Sequence, residues 1–152
     1  MNVGGVALGE STAVLEIIRK DHERILGLFH LLLEGNLRSE KARRETFRDL
    51  RRELTRHALL EEDLLYPRLK AKRTYLARVA NGHHATADRL INWLECVSMT
   101  DKRWYPKLRE LRESIAHHIV IEERELPALV LSSFTRSELV ILQARFKASR
   151  AA

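Results

Sequence analysis

Four stretches of this 152-residue chain space their apolar residues by threes and fours, as a buried helix face requires, and each sets a histidine within that face. The first reads Leu15, Ile18, His22, Ile25, Phe29, Leu32; the second reads Phe47, Leu50, Leu54, His57, Glu61, Leu65. The third reads Ala80, His84, Ala87, Ile91, Leu94; the fourth reads Leu111, Ile115, His118, Glu122, Leu126, Leu129. Helices with such stripes must bury them against one another, and the imidazoles and carboxylates on the stripes must then find partners inside the core.

The pattern predicts an all-α chain: an antiparallel up-down-up-down four-helix bundle with a short C-terminal helix. The first helix is expected from about Ser11, with Ser11 or Thr12 as its cap, to Glu34, where Gly35-Asn36 ends it. The second starts from an N-cap at Ser39 and runs to about Ala71, with Pro67 kinking or finishing it. The third runs from about Thr74 to Met99 and is expected to be interrupted at Asn81-Gly82. The fourth follows Asp101 and ends near Leu131, with Pro106 in its first turns and Pro127 near its end. Thr135 and Glu138 form a capping box for a fifth, to about Ala148. Short connections make sequential neighbours antiparallel. The length fits one domain over residues 1–152, with the bundle at about 11–131 and the last helix at about 135–148.

The sequence also repeats itself. His57-x-x-x-Glu61 followed by Pro67 is matched by His118-x-x-x-Glu122 followed by Pro127, and His22 and His84 each precede an apolar run. His22 lies 35 residues before His57, and His84 lies 34 before His118. Two similar helical hairpins related by an approximate two-fold follow from this. Within each pair, the four-residue spacing stacks imidazole and carboxylate on one face. Four histidines and two carboxylates then meet in mid-bundle. Buried carboxylates need compensating positive charge. Protonated histidines could supply it; a pair of metal cations supplies it and also uses the imidazole lone pairs.

At these residues the chain resembles the hemerythrin-like, or HHE, cation-binding family, over about Val14 to Leu131. The resemblance implies an antiparallel four-helix bundle holding two iron ions in a non-haem, oxo- or hydroxo-bridged centre. Its metal ligands here would be His22, His57, Glu61, His84, His118 and Glu122, each glutamate bridging the two irons. Two positions have alternatives. Aligning the prolines selects His117, whereas aligning the apolar seams selects His118; the seam decides which side chain points inward, so His118 is taken. The same argument takes His84 over His83. Oxygen-carrying members look like five-histidine sites, and the place of the fifth is Ala80 here, which argues against reversible O2 carriage. Asp88, one turn after His84, is a weaker candidate donor.

Histidine and carboxylate donors suit iron, and also manganese or zinc. The leading expectation is a cytoplasmic di-iron protein that binds or senses O2, NO, peroxide or iron itself. One alternative is an enzyme that uses the same centre to reduce peroxide or NO or to deliver iron. Another is a metal-free helical interaction module whose basic face binds nucleic acid or an acidic partner. The chain carries 27 Lys and Arg against 21 Asp and Glu, and the whole excess lies between Arg38 and Arg78. There, arginines alternate with acids at helical spacing and no aromatics are interleaved, so a solvated helix face is favoured over a nucleic-acid surface. The single cysteine, Cys96, excludes an intramolecular disulfide and is expected as a small core residue. His30 falls off the first seam, and Tyr66, Trp93, Trp104 and Tyr105 are expected at packing boundaries. No apolar run approaches the roughly 20 residues of a membrane span, no secretory signal is expected from residues 1–10, and no P-loop or nucleophile triad is found.

Overall fold

The computed structural model describes residues 4–69 and 74–151, with side chains from residue 13 onward. Among the described residues every regular element is helical: α1 (Gly4–Leu33), α2 (Glu40–Leu60), α3 (Tyr75–Cys96), α4 (Trp104–Ser133) and α5 (Arg136–Ala151). Between α2 and α3 the chain passes through a π-helical turn, Glu61–Leu65, and a 3-10 turn, Tyr66–Arg68. The first four helices form the antiparallel bundle, in which α1 packs on α2 and α4, and α3 on α4; α5 lies against α1.

The seams are buried as the spacing requires, apart from Leu15, which is half-buried at the edge. They form two apolar clusters with the histidines and glutamates between them. One contains Phe29, Leu50, Leu94, Trp104 and Leu111; the other contains Ile18, Leu65, Leu76, Leu126 and, from α5, Phe146. Trp104 is wholly buried rather than at a boundary, and its indole N–H donates to the Leu94 carbonyl at 3.0 Å.

The caps explain where most helices begin. Ser39 Oγ accepts from the Ala42 N–H at 3.0 Å, and Thr74 Oγ1 from the Ala77 N–H at 3.2 Å. In the capping box Thr135 N–H donates to Glu138 Oε2 at 2.8 Å, and Glu138 N–H donates back to Thr135 Oγ1 at 3.3 Å. Gly35 follows the end of α1 in a close approach: a Cβ there would collide with the Leu31 carbonyl oxygen.

Several expected boundaries are corrected. Helix α1 passes through Ser11 and Thr12, so neither caps it. Asn81 and Gly82 do not interrupt α3, because both are exposed while Ala80 and His84 beside them pack inward. Helix α4 ends at Ser133, two residues past the expected boundary near Leu131, and runs on through Pro127. The proline ring faces solvent, and burial of Leu126, Leu129 and Val130 outweighs the lost backbone bond. Helix α5 extends three residues past the expected end, to Ala151. The second segment's expected end at Ala71 lies outside the described residues. Cys96 is exposed, not in the core.

Candidate metal centre

The layer between the two clusters contains His22, His57, Glu61, His84, His118 and Glu122, all six buried. Each helix of the bundle contributes one histidine. Glu61 opens the π-helical turn one turn after His57, and Glu122 stands one turn after His118. His117 is exposed and His83 half-buried, so the seam argument selects the inward histidines. Ala80 is buried, Asp88 exposed, and His30 lies at the surface beside Glu34.

The six side chains form two groups that share the glutamates. His22 Nε2 faces His57 Nε2 at 3.1 Å, and His84 Nε2 faces His118 Nε2 at 3.4 Å. Glu61 directs Oε1 to His57 at 2.6 Å and Oε2 to His84 at 3.2 Å. Glu122 directs Oε1 to His22 at 3.3 Å and Oε2 to His118 at 2.8 Å. Each carboxylate therefore offers one oxygen to each histidine pair. The ligand atoms of His22, His57, Glu61 and Glu122 lie within 4.8 Å of one another, as do those of Glu61, His84 and His118.

This arrangement fits cations better than it fits itself. Glu61 Oε1 and Glu122 Oε1 are buried without a hydrogen-bond partner. Paired Nε2 atoms that close can share at most one hydrogen bond, leaving further lone pairs aimed at the same space. Imidazole nitrogens and carboxylate oxygens are donors for iron, manganese and zinc.

The electrostatics point the same way. Burial pushes His57 down, but Glu61, Asp21 and Glu122 outweigh it and raise it well above the ordinary imidazole value. Burial likewise opposes a charged His118, yet hydrogen bonds to Glu122 and Glu61 push it up to about 9. His84 is also raised, burial being outweighed by the Glu61 carboxylate. Burial would raise Glu61, but His57, His118 and His84 hold it well below the carboxylate range. Without a cation, the site thus retains protons on imidazoles to neutralise its carboxylates.

An outer ring holds the imidazoles. The other ring nitrogen, Nδ1, lies 2.9 Å from Glu123 Oε1 in His22 and 2.7 Å from Glu62 Oε1 in His84. His57 Nδ1 lies 3.5 Å from Asp21 Oδ2, and His118 Nδ1 lies 3.0 Å from His83 Nδ1. Such contacts fix which nitrogen carries the proton and which is free to ligate.

Two residues in this layer escape the sequence argument. Tyr66 places its hydroxyl 2.8 Å from Glu61 Oε2 and 2.7 Å from Glu122 Oε2. Burial and the two carboxylates raise its phenol far above the ordinary value. Asp21 is wholly buried and paired with Arg56 at 3.1 Å and with Arg150 of α5 at 2.8 Å. The signal for Tyr66 is the proline after it: Glu61 precedes Pro67 by six residues and Glu122 precedes Pro127 by five, and the extra residue is taken up in the π-helical turn.

On the side away from Tyr66, the four histidines face a small, mostly apolar cavity of about 30 Å³ walled by Ile25, Leu54, Ile91, Ile115 and Ile119, with Asp88 also at its lining. That volume is on the scale of one small molecule.

Comparison with known proteins agrees with a cation-binding role. Residues 13–130 match the hemerythrin HHE cation binding domain. The chain belongs to that family. The crystal structure of a hemerythrin HHE cation binding domain-containing protein from Mycobacterium kansasii superposes with a TM-score of 0.73 at 27% identity, covering 90% of this chain and 86% of that one. A DNA nickase from Nostoc sp. is 24% identical over 144 residues, which are 90% of this chain and 39% of the relative. The chain thus spans about two fifths of that protein's length. Among the described residues no helix is long and apolar enough to cross a membrane.

Proposed function

We propose that this chain holds two iron ions among His22, His57, Glu61, His84, His118 and Glu122, and uses them to bind or sense O2, NO or peroxide. The observation that carries the reading is the apolar cavity of about 30 Å³ lying directly against all four histidines. An apolar wall on that scale favours a small, weakly hydrated ligand over a charged substrate. Bound iron would supply redox chemistry. The chain's own part is to hold the imidazoles through Asp21, Glu62, His83 and Glu123, to offer each ion an oxygen from both Glu61 and Glu122, and to surround the histidines with isoleucines. Tyr66 closes the opposite side, its hydroxyl proton held between the two glutamates.

The basic face of α2 supports the solvated reading. Arg44 pairs with Glu40, Arg51 with Glu95 at 2.6 Å, Arg52 with Asp49 at 2.7 Å and Arg56 with Glu53 at 2.6 Å. These arginines are matched by the chain's own acids rather than arrayed for a polyanion.

Anaerobic loading with ferrous iron, elemental analysis and then exposure to air, NO or peroxide tests the proposal. The expected result is two irons per chain and a near-ultraviolet absorption change stoichiometric with the added ligand. Absence of iron uptake, or uptake with no spectral response to any of the three, refutes it. Continued consumption of peroxide or NO beyond one equivalent would assign turnover rather than sensing.

A further inference from the structure

The two histidine pairs have the same inner pattern and unequal support. Behind His22 and His84 the support is alike, a partly exposed carboxylate in each case, Glu123 and Glu62. Behind the other two it is not. Asp21 and His83 occupy the same place in their hairpins, each one residue before an inward histidine. Asp21 turns a buried carboxylate oxygen, Oδ2, towards His57 Nδ1 at 3.5 Å, an ion-pair separation, and neither atom is committed to a hydrogen bond with any other group. His83 turns a half-buried imidazole towards His118 Nδ1 at 3.0 Å.

The front of the site is unequal as well. The glutamate oxygens facing His22 and His57 are the two without a hydrogen-bond partner. Those facing His84 and His118 are engaged by the Tyr66 hydroxyl. A cation entering the first pair displaces only what the facing imidazoles hold, whereas one entering the second must also displace a phenol.

We propose that Asp21 makes the His22–His57 position the tighter of the two, so that cations fill it first and the His84–His118 position second. The inference rests on the two-cation reading above. A carboxylate behind a ligating imidazole holds the proton on the outer nitrogen and raises the basicity of the inner one. A neutral ring orients its partner without adding negative charge. The guanidinium groups beside Asp21 do not cancel the effect. Arg56 and Arg150 both bond Oδ1, leaving Oδ2 for His57, and Arg56 is shared with Glu53 at 2.6 Å. Asp21 is thus a positioning residue, acting on the cation through His57.

The test is titration of the metal-free full chain with Co(II), followed by calorimetry and by the visible absorption of bound cobalt. The expected result is two steps, separated by about tenfold or more. Asp21→Asn weakens the first step by about 10–100-fold and leaves the second where it was, so the steps merge. Asp21→Glu, which keeps the charge, restores part of the separation. His83→Asp, at the half-exposed rim, tightens the second step and provides the decisive variant if Asp21→Asn does not fold. Two equal steps in the unaltered chain overturn the inference. So does Asp21→Asn weakening both steps alike, or an unchanged second step in His83→Asp. Failure to take up cobalt at all is a different result, and overturns the two-cation reading itself.

Discussion

The hairpin of α1 and α2 and the hairpin of α3 and α4 deliver the same three side chains to the centre and diverge just outside it. In the second hairpin, α4 runs on as regular helix past Glu122 and through Pro127 to Ser133. In the first, the backbone widens at Glu61 into a π-helical turn, closed by the Tyr66 N–H bonding to the Glu61 carbonyl five residues back. By the prolines, Tyr66 of one hairpin corresponds to Leu126 of the other. One places a hydroxyl between the carboxylates; the other buries a leucine in the apolar cluster. The difference teaches that the repeat specifies the inner donors, while single-residue departures from it specify how each donor is held.

The harshest way to test the shared part is to remove one carboxylate that faces both histidine pairs. Glu61→Ala and Glu122→Ala each take an oxygen from both positions, so each is expected to reduce metal content from two ions per chain to one or none, as read by elemental analysis. If one substitution leaves two ions bound, that hairpin's glutamate is not a bridge. Next in size is the leucine of the unbroken helix. Leu126→Ala opens a cavity in a fully packed cluster and is expected to lower unfolding free energy by about 2–5 kcal/mol in denaturant melts, with metal content unchanged.

A change of pH strikes both hairpins together in the metal-free chain. His118, raised to about 9, binds a proton more tightly folded than unfolded. Its contribution is therefore fully present below about pH 6.5 and lost as pH rises through about 9. Melts at pH 6.5 and 9.5 should differ by about 3 kcal/mol or less, the alkaline sample being weaker. Bound cations replace those protons, so loading metal should flatten this dependence. The smallest effect is expected at the site of divergence: Tyr66→Phe removes a donor from two buried carboxylate oxygens, a loss of about 2 kcal/mol in the metal-free chain. A stabilised Tyr66→Phe variant would mean that the phenol opposes the metal-free fold.

The inner set was legible because burial and chemistry conflict there. His22, His57, Glu61, His84, His118 and Glu122 interrupt otherwise apolar seams, and an interrupted seam shows in a single sequence. The number of helices, the Ser39 cap and the Thr135–Glu138 box were legible for the same reason, each being a local pattern with a local cause. Asp21 was not, because the first seam is widened by α5, which covers a face of α1 that a four-helix bundle alone would leave wet. Tyr66 was not, because its inward position depends on the π-helical turn, and seam counting assumes an unbroken α period. Asn81-Gly82 was misread in the opposite sense: a local breaker signal was overruled by packing on either side of it. Cys96 was misread as small and therefore interior, although it is the last residue of α3 and faces solvent.

Arg150, near the far end of the chain, bonds the carboxylate that stands behind His57. The final helix is therefore a lever on the candidate metal centre. Prying it from its seat would strip Asp21 of one of its two guanidinium anchors and let it swing away from the imidazole. A tag, a truncation or a docking protein at this helix would be felt further inward, as a change in how firmly the His22–His57 pair would hold a cation.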